Sequence, residues 1–442
     1  APGCARKAFR RGRTQVATDP ETNSIPAFMV AKSIQTRRVD PSMQNSTSPL
    51  RIAYLVPSLD VGGMERCVAR LVAGLDPTRF SALVVSLTEL GEASRWFDDR
   101  ARLLAMHKQP GHDPSLFWRL AGVLREQRID LVHSHNWGTL LEAVVARRCA
   151  RVKAHVHAEH GTVLGDLGVS GLKRWLRRRA SQWGMEHSNA VVCVSDATRR
   201  KLVEACGVAY QDVLTVDNGV PVPTTRPADR ERMRRSLGLG EHALLVGSIG
   251  RLHEVKNFPA LVGIVDQLNA GDHEVHLALV GDGPERDALA ARAATLVHRD
   301  RVHLPGESDE VGAWLSAFDV YVNCSFSEGV SLGLLEAMAM GLPSVVTRVG
   351  DHAQVVTARS TQPQVADGAD AACGSVVEPG DTEGLATALK ALIADEPYRR
   401  ALGANACRRH RRDFSVERMV THYQELYESL LSPHLTARAS GD

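Results

Sequence analysis

The sequence predicts an α/β chain made of two doubly wound parallel-sheet domains joined by a hinge. Three observations carry this. Short apolar runs alternate with helix-like segments from residue 50 onward. The runs are rich in Val, Ile and Leu and are mostly apolar on both faces, as buried parallel strands are. Midway, the alternation stops at Pro221, Pro223 and Pro227 and then restarts, as expected of a linker. A chain of 442 residues with 44% apolar content suits two ordinary domains, each with its own core.

Residues 1–48 are polar and aperiodic, with Arg6, Lys7, Arg10, Arg11 and Arg13 close together. They are expected to be disordered, or an extension ahead of the working protein, for which Met43 would be a natural start. A basic, acid-poor targeting peptide is the alternative. The first domain is expected at 49–222. Its strands are read at 51–59, 82–89, 130–135, 153–160, 190–195 and 213–219, and its helices at 64–75, 114–127, 137–149, 171–187 and 196–206. The second domain is expected at 223–414, with strands at 243–250, 275–283, 301–306, 319–325, 343–350 and 374–380. A last helix at 415–432 puts Met419, Tyr423, Leu426 and Tyr427 on one stripe, which must be buried somewhere. It is expected to return to the first domain. Ligands of such sheets bind outside the carboxyl ends of the strands, so the loops there should hold the chemistry.

Composition narrows the function. Net charge is +2, and residues 1–48 carry +5 of it, leaving 45 basic against 48 acidic residues in the rest. A nucleic-acid binder shows the opposite bias, so no nucleic-acid partner is expected. The eight cysteines form no CxxC pair and read as reduced, buried thiols of a cytoplasmic protein. No apolar run reaches the 18 or so residues of a membrane span, and the basic start leads into no apolar signal core.

Five segments stand out, four at or after the ends of predicted strands and the histidine segment within one. In Glu328-Gly-Val-Ser-Leu-Gly-Leu-Leu-Glu336, two carboxylates stand seven residues apart. Glu328 falls in a loop, Ser331 at a helix N-cap and Glu336 inside the helix. The backbone N–H groups from Val330 to Gly333 would then be free for an anion. In Gly250-Arg251-Leu-His-Glu-Val-Lys256-Asn257, a guanidinium fork and an ammonium suit a diphosphate. Gly62 and Gly63, at a strand-to-helix turn, let a phosphate or sugar approach the backbone. His155, His157 and His160 lie close in sequence, with His133 and His135 nearby, but nothing supplies a convincing fourth metal ligand, and no metal site is expected. Val280-Gly281-Asp-Gly283-Pro284-Glu285 is a broken dinucleotide fingerprint, with Arg286 in place of its third glycine; this disfavours an NAD-dependent oxidoreductase.

The carboxylate string resembles the E-x7-E motif of glycosyltransferase family 4, the retaining enzymes of the GT-B fold: two Rossmann-like doubly wound domains facing a cleft. The resemblance spans roughly residues 50–431 and takes in Asp217-Asn218-Gly219-Val220 at the end of the first domain. It implies that Glu336 holds the ribose hydroxyls of a nucleotide-sugar donor and that Glu328 lies by the donor sugar. The backbone of Val330, Ser331 and Leu332 would contact sugar and phosphate. Arg251 and Lys256 would bind the diphosphate, and Gly62 and Gly63 would face the phosphates and the acceptor. His160 would sit by the reacting carbon. The implied catalytic set is His160, Glu328, Arg251 and Lys256, with no cofactor and no metal. Two departures stand out. Gly350-Asp351-His352-Ala353-Gln354 replaces the family's G-G-x-x-E, and residues 357–373 read as a polar insertion.

The implied function is transfer of a sugar, with retention, to a saccharide or lipid-linked acceptor. A GT-B epimerase and an inactive GT-B binding module are the alternatives; loss of Glu336 or of the Arg/Lys pair would have favoured the latter, and both are present. Lys173, Arg174, Arg177, Arg178 and Arg179 share the 171–187 helix with Trp175 and Trp183. Such a helix suits an anionic membrane surface, placing the protein peripherally on the inner face of the cytoplasmic membrane.

Overall fold

A computed structural model describes residues 48–109, 111, 113–161, 171–359 and 368–432. The expectations for residues 1–47 and for residues 360–367 of the 357–373 insertion lie outside these. The first sheet is made by β1 (Leu50–Val56), β2 (Phe80–Ser86), β3 (Ala101–Ala105), β4 (Leu131–His135), β5 (Ala154–Glu159), β6 (Ala190–Cys193) and β7 (Val213–Thr215). Between them run α1 (Gly63–Gly74), α2 (Ser115–Glu126), α3 (Trp137–Ala150), α4 (Gly171–Glu186) and α5 (Asp196–Cys206). The second domain opens with α6 (Asp229–Ser236) and continues through β8 (Leu244–Ile249), α7 (Phe258–Gly263), α8 (Val265–Leu268), β9 (Val275–Val280), α9 (Arg286–Ala294) and β10 (Val302–Gly306). It is completed by α10 (Val311–Ala317), β11 (Val320–Asn323), α11 (Leu332–Ala339), β12 (Ser344–Thr347), α12 (His352–Val356), β13 (Gly374–Val377), α13 (Thr382–Ala394) and α14 (Glu396–Arg409). The last helix is α15 (Val416–Leu431).

Both sheets are parallel throughout. Their orders are β3-β2-β1-β4-β5-β6-β7 and β10-β9-β8-β11-β12-β13. In each, the order reverses beside the first strand, between β1 and β4 and between β8 and β11. Those reversals leave crevices at the carboxyl ends, where ligands enter open α/β sheets. Strand β3 was not anticipated. It is a five-residue edge strand paired with β2 alone, and its sequence, Ala-Arg-Leu-Leu-Ala after Asp98-Asp99-Arg100, has too short an apolar run to stand out.

Helix α15 packs on the first domain. Met419, Val420, Tyr423 and Tyr427 join one buried cluster with Ile52, Tyr54, Val68, Leu71 and Phe80. The helix is started by Ser415, whose hydroxyl accepts the Arg418 N–H at 3.3 Å, the usual role of an N-cap serine. The two chain crossings between the domains run side by side. Val220 N–H donates to Phe414 C=O at 2.9 Å and Val220 forms a parallel bridge with Ser415. His410 Nε2 lies 3.0 Å from the Val220 carbonyl.

Candidate active site

The second-domain residues converge at its crevice. Arg251 and Lys256 lie in the loop after β8, and Glu328 in the loop after β11. The two loops are tied by Phe326 N–H to Val255 C=O at 2.8 Å. The Lys256 ammonium forms an ion pair with Glu328, which also accepts the Ser325 hydroxyl at 2.9 Å. Burial works to raise the Glu328 pKa, but the adjacent Lys256 outweighs it and holds the carboxyl below its usual range, so Glu328 is ionised. Arg251 is exposed and enters no ion pair among the described residues. One cation of the expected pair is therefore fixed and neutralised, and the other is open.

Helix α11 starts at Leu332 with Ser331 as N-cap. The sequence expectation needs one correction here: the N–H groups from Val330 to Gly333 are not all free. Ser331 N–H donates to His352 Nε2 at 3.3 Å, and the Ser331 hydroxyl makes no capping bond. The first bond of the α11 ladder is Leu335 N–H to Ser331 C=O at 3.2 Å, so Leu332 and Gly333 point their N–H groups ahead of it, as helix starts do. Glu336 is 5% exposed and forms an ion pair with Arg70 of α1. That partner comes from the other domain, and nothing in the Arg70 sequence context marks it.

The departing segment Gly350–Gln354 belongs to this site. Gly350 has φ of 55°, and a side chain there would collide with the carbonyls of Glu328 and Gly329, so the position demands glycine. Asp351 N–H donates to Gly329 C=O at 3.0 Å. Its carboxylate accepts the Ala197 N–H and an Arg200 N–H, both at 2.8 Å, at the start of α5 in the first domain. Burial lowers the His352 pKa to about 4 against the pull of Glu328, so His352 is neutral and its Nε2 is free to accept from Ser331. None of these four contacts was legible from a motif.

Across the cleft, Gly62 is the N-cap of α1. A side chain on Gly63 would stand 3.6 Å from the Leu332 side chain, so this turn lies directly against the start of α11. Asn136, with φ of 60° at the start of α3, joins three loops. Its Nδ2 reaches Met64 Sδ at 3.1 Å, and its Oδ1 accepts the His160 N–H at 3.0 Å. His160 Nε2 pairs with His135 Nδ1 at 2.9 Å. Burial, and then the neighbouring His157, push the His160 pKa down to about 3, so its imidazole is neutral. Asn136 and His135 are thus positioning groups; sequence reasoning passed over Asn136 and weighed His135 only as a possible metal ligand.

The histidines of β5 are structural. His155 bonds Ser134 at 2.8 Å and Ser188 at 3.0 Å, and His157 bonds Ser134 at 2.9 Å and Glu159 at 3.2 Å. Both ring nitrogens of each are thereby occupied, and no group among the described residues is arranged to hold a metal ion. Gly281 and Gly283 serve packing too, because side chains there would strike the backbone of Gly250 and Leu252.

Two parallel α/β domains with a diphosphate-type cation pair, paired carboxylates and a helix start at the facing crevices define a glycosyltransferase of the GT-B fold. Comparison with known families agrees: residues 61–222 match Glycosyltransferase Family 4 and residues 243–395 match Glycosyl transferases group 1. The chain belongs to this glycosyltransferase family. It is 27% identical to N-acetyl-alpha-D-glucosaminyl L-malate synthase of Bacillus anthracis, over 74% of this chain and 82% of that protein. It is 22% identical to the Escherichia coli UDP-Gal:alpha-D-GlcNAc-diphosphoundecaprenol alpha-1,3-galactosyltransferase, over 87% of this chain and 98% of that protein. Its fold is that of Anabaena HepE, solved with UDP and glucose, at a TM-score of 0.71 and 21% identity, covering 86% of this chain and 100% of HepE. No helix of the described residues is long and apolar enough to cross a membrane.

Proposed function

We propose that this glycosyltransferase takes its sugar from a nucleoside-diphosphate donor seated at the second-domain crevice and transfers it with retention. The observation that carries this is the meeting of Arg251, Lys256–Glu328 and the α11 start at the sheet reversal, directly opposite the Gly62-Gly63 turn. Arg251 takes the diphosphate first, being the open cation. Lys256 and the Leu332 and Gly333 N–H groups then share the negative charge that grows on the leaving phosphate; such preorganised charge is commonly the largest catalytic term. Glu328 lies by the sugar and Glu336 by the ribose. In the transfer, the bond from the anomeric carbon to the phosphate oxygen breaks, and the acceptor oxygen bonds on the same face. The acceptor proton passes to the departing phosphate. His160, neutral, accepts or donates a hydrogen bond at the sugar rather than carrying charge.

Fixed cations of this kind support a reaction without a required divalent ion. Activity that survives EDTA is expected; loss that magnesium restores would overturn this part. A UDP-linked donor is supported by the UDP-Gal donor of the galactosyltransferase relative and the UDP bound by HepE. That relative's diphosphoundecaprenol-linked acceptor supports a lipid-linked glycan. So does α4, which leaves Leu172 72%, Trp175 57% and Leu176 53% exposed beside its five cations, as a surface-lying helix would. The protein would then work from the cytoplasmic side of the membrane. Co-sedimentation with anionic but not neutral vesicles, lost on Trp175→Ala/Leu176→Ala, is the expected outcome.

The deciding experiment is thermal stability with UDP, GDP, ADP and CMP, beside an Arg251→Ala/Lys256→Ala variant. A nucleotide at 100 times its Kd adds about 2.7 kcal/mol. Stabilisation by one diphosphate, lost in the variant, is expected. Stabilisation by none removes the donor assignment.

A further inference from the structure

The Arg70–Glu336 pair crosses the cleft and uses the very carboxylate assigned to the donor ribose. Arg70 is 15% and Glu336 6% exposed in the side chain, so the pair is largely screened from water. It engages one guanidinium nitrogen, Nη2, while Nη1 is buried with no hydrogen-bond partner. A single-point pair that leaves a buried donor unsatisfied is a weak use of an arginine. A ribose diol offers Glu336 two hydroxyls at once.

Arg70 also has somewhere to go. Beside it a cavity of about 480 Å³ opens between the domains, walled by Arg66, Trp96, Arg95 and Asp309. Arg66 is already stacked over the Trp96 ring, 4.6 Å from its centre. Among the described residues, Asp309, from the loop after β10, pairs with the half-exposed Arg95 alone, at 3.0 Å. It is a second carboxylate that a displaced guanidinium can take.

We propose that Arg70 gates the ribose end of the donor site: it and the ribose diol compete for Glu336, and donor entry turns Arg70 into the neighbouring cavity towards Asp309. This rests on the reading of Glu336 as the ribose carboxylate. The gate sets donor affinity at the ribose without touching the diphosphate, which is held by Arg251 and Lys256 on the other loop.

The test is calorimetric titration of the full chain with UDP, GDP and ADP and with their 2′,3′-dideoxy forms. Arg70→Ala should tighten the preferred diphosphate up to about fivefold, the scale of one lost competing ion pair, and leave its dideoxy form unchanged. Arg70→Gln, which keeps most of the side-chain volume, should do the same and guards against misfolding of the alanine variant. If both variants weaken the diphosphate, or shift it and its dideoxy form equally, Arg70 is not a gate. Glu336→Gln reports separately on the underlying assignment: it should erase the difference between diphosphate and dideoxy forms. If that difference persists in Glu336→Gln, the ribose assignment fails and the gate with it. If it is erased while Arg70→Ala changes nothing, the assignment stands and only the gate is overturned.

Discussion

Lys256 and Glu328 neutralise one another in a partly buried loop, so neither can be removed cleanly. Lys256→Ala takes away the proposed diphosphate cation and leaves Glu328 with only the Ser325 hydroxyl and the neighbouring His352 against its burial. We expect kcat to fall about 100-fold, measured as sugar transfer at saturating donor. The histidines make a second prediction. Burial holds His133, His135 and His155 well below the ordinary histidine range and His160 at about 3. The unfolded chain binds these protons near pH 6.5 and the folded chain does not, so stability is fully present above 6.5 and is lost as pH falls towards 3. The slope is about 1.4 kcal/mol per pH unit for each histidine kept neutral. Urea midpoints should change little between pH 7.5 and 6.5 and fall steeply between 6.5 and 5.5, and His155→Asn should flatten that fall. At this scale the sequence showed the charged residues through motif spacing. It could not show Arg70, Asn136 or His352, whose roles come from what the fold sets beside them.

Among the elements, α15 is the clearest case of a pattern whose burial the sequence demanded and whose contacts the fold supplied. Its stripe of Met419, Tyr423 and Tyr427 demanded burial, and the fold supplies it on the first sheet. The Tyr427 hydroxyl lies 2.8 Å from His133 Nδ1 and 3.3 Å from the Tyr54 hydroxyl. Tyr427→Ala should cost about 3–5 kcal/mol, as large aromatic truncations do, and Tyr427→Phe about 1 kcal/mol, both read from denaturant unfolding. Helix α11 depends on its second residue. A side chain at Gly333 would stand 2.6 Å from the buried Tyr321 hydroxyl. Gly333→Ala should therefore destabilise the second domain by about 1–3 kcal/mol and displace the helix start proposed to face the donor phosphates. Edge strand β3, by contrast, escaped the sequence reading because five residues with a charge inside them carry little periodic signal.

For the whole molecule, the described contacts between the domains include several polar ones across the cleft. Among the described residues, Arg70–Glu336, Arg200–Asp351 and Arg95–Asp309 are ion pairs between the domains, with the crossing segments at Val220 and Ser415 as the hinge. Such junctions permit relative motion. Asp351→Asn removes a carboxylate that is 6% exposed and accepts from Ala197 and Arg200. We expect faster amide exchange at the start of α5 and a larger radius of gyration by solution scattering, with the isolated sheet cores unaffected.

What the sequence by itself determined is whatever repeats locally: the parallel strands, because burial on both faces makes them continuously apolar; the hinge, because proline ends periodic structure; and the carboxylate and cation spacings, because they sit on single loops. What only the tertiary structure decided is every contact made across the cleft or between neighbouring strand ends. Asp351 on α5, His352 on Ser331 and Arg70 on Glu336 join residues 154, 21 and 266 positions apart. No local pattern encodes such pairs, since the packing of two sheets and the angle of their hinge bring them together.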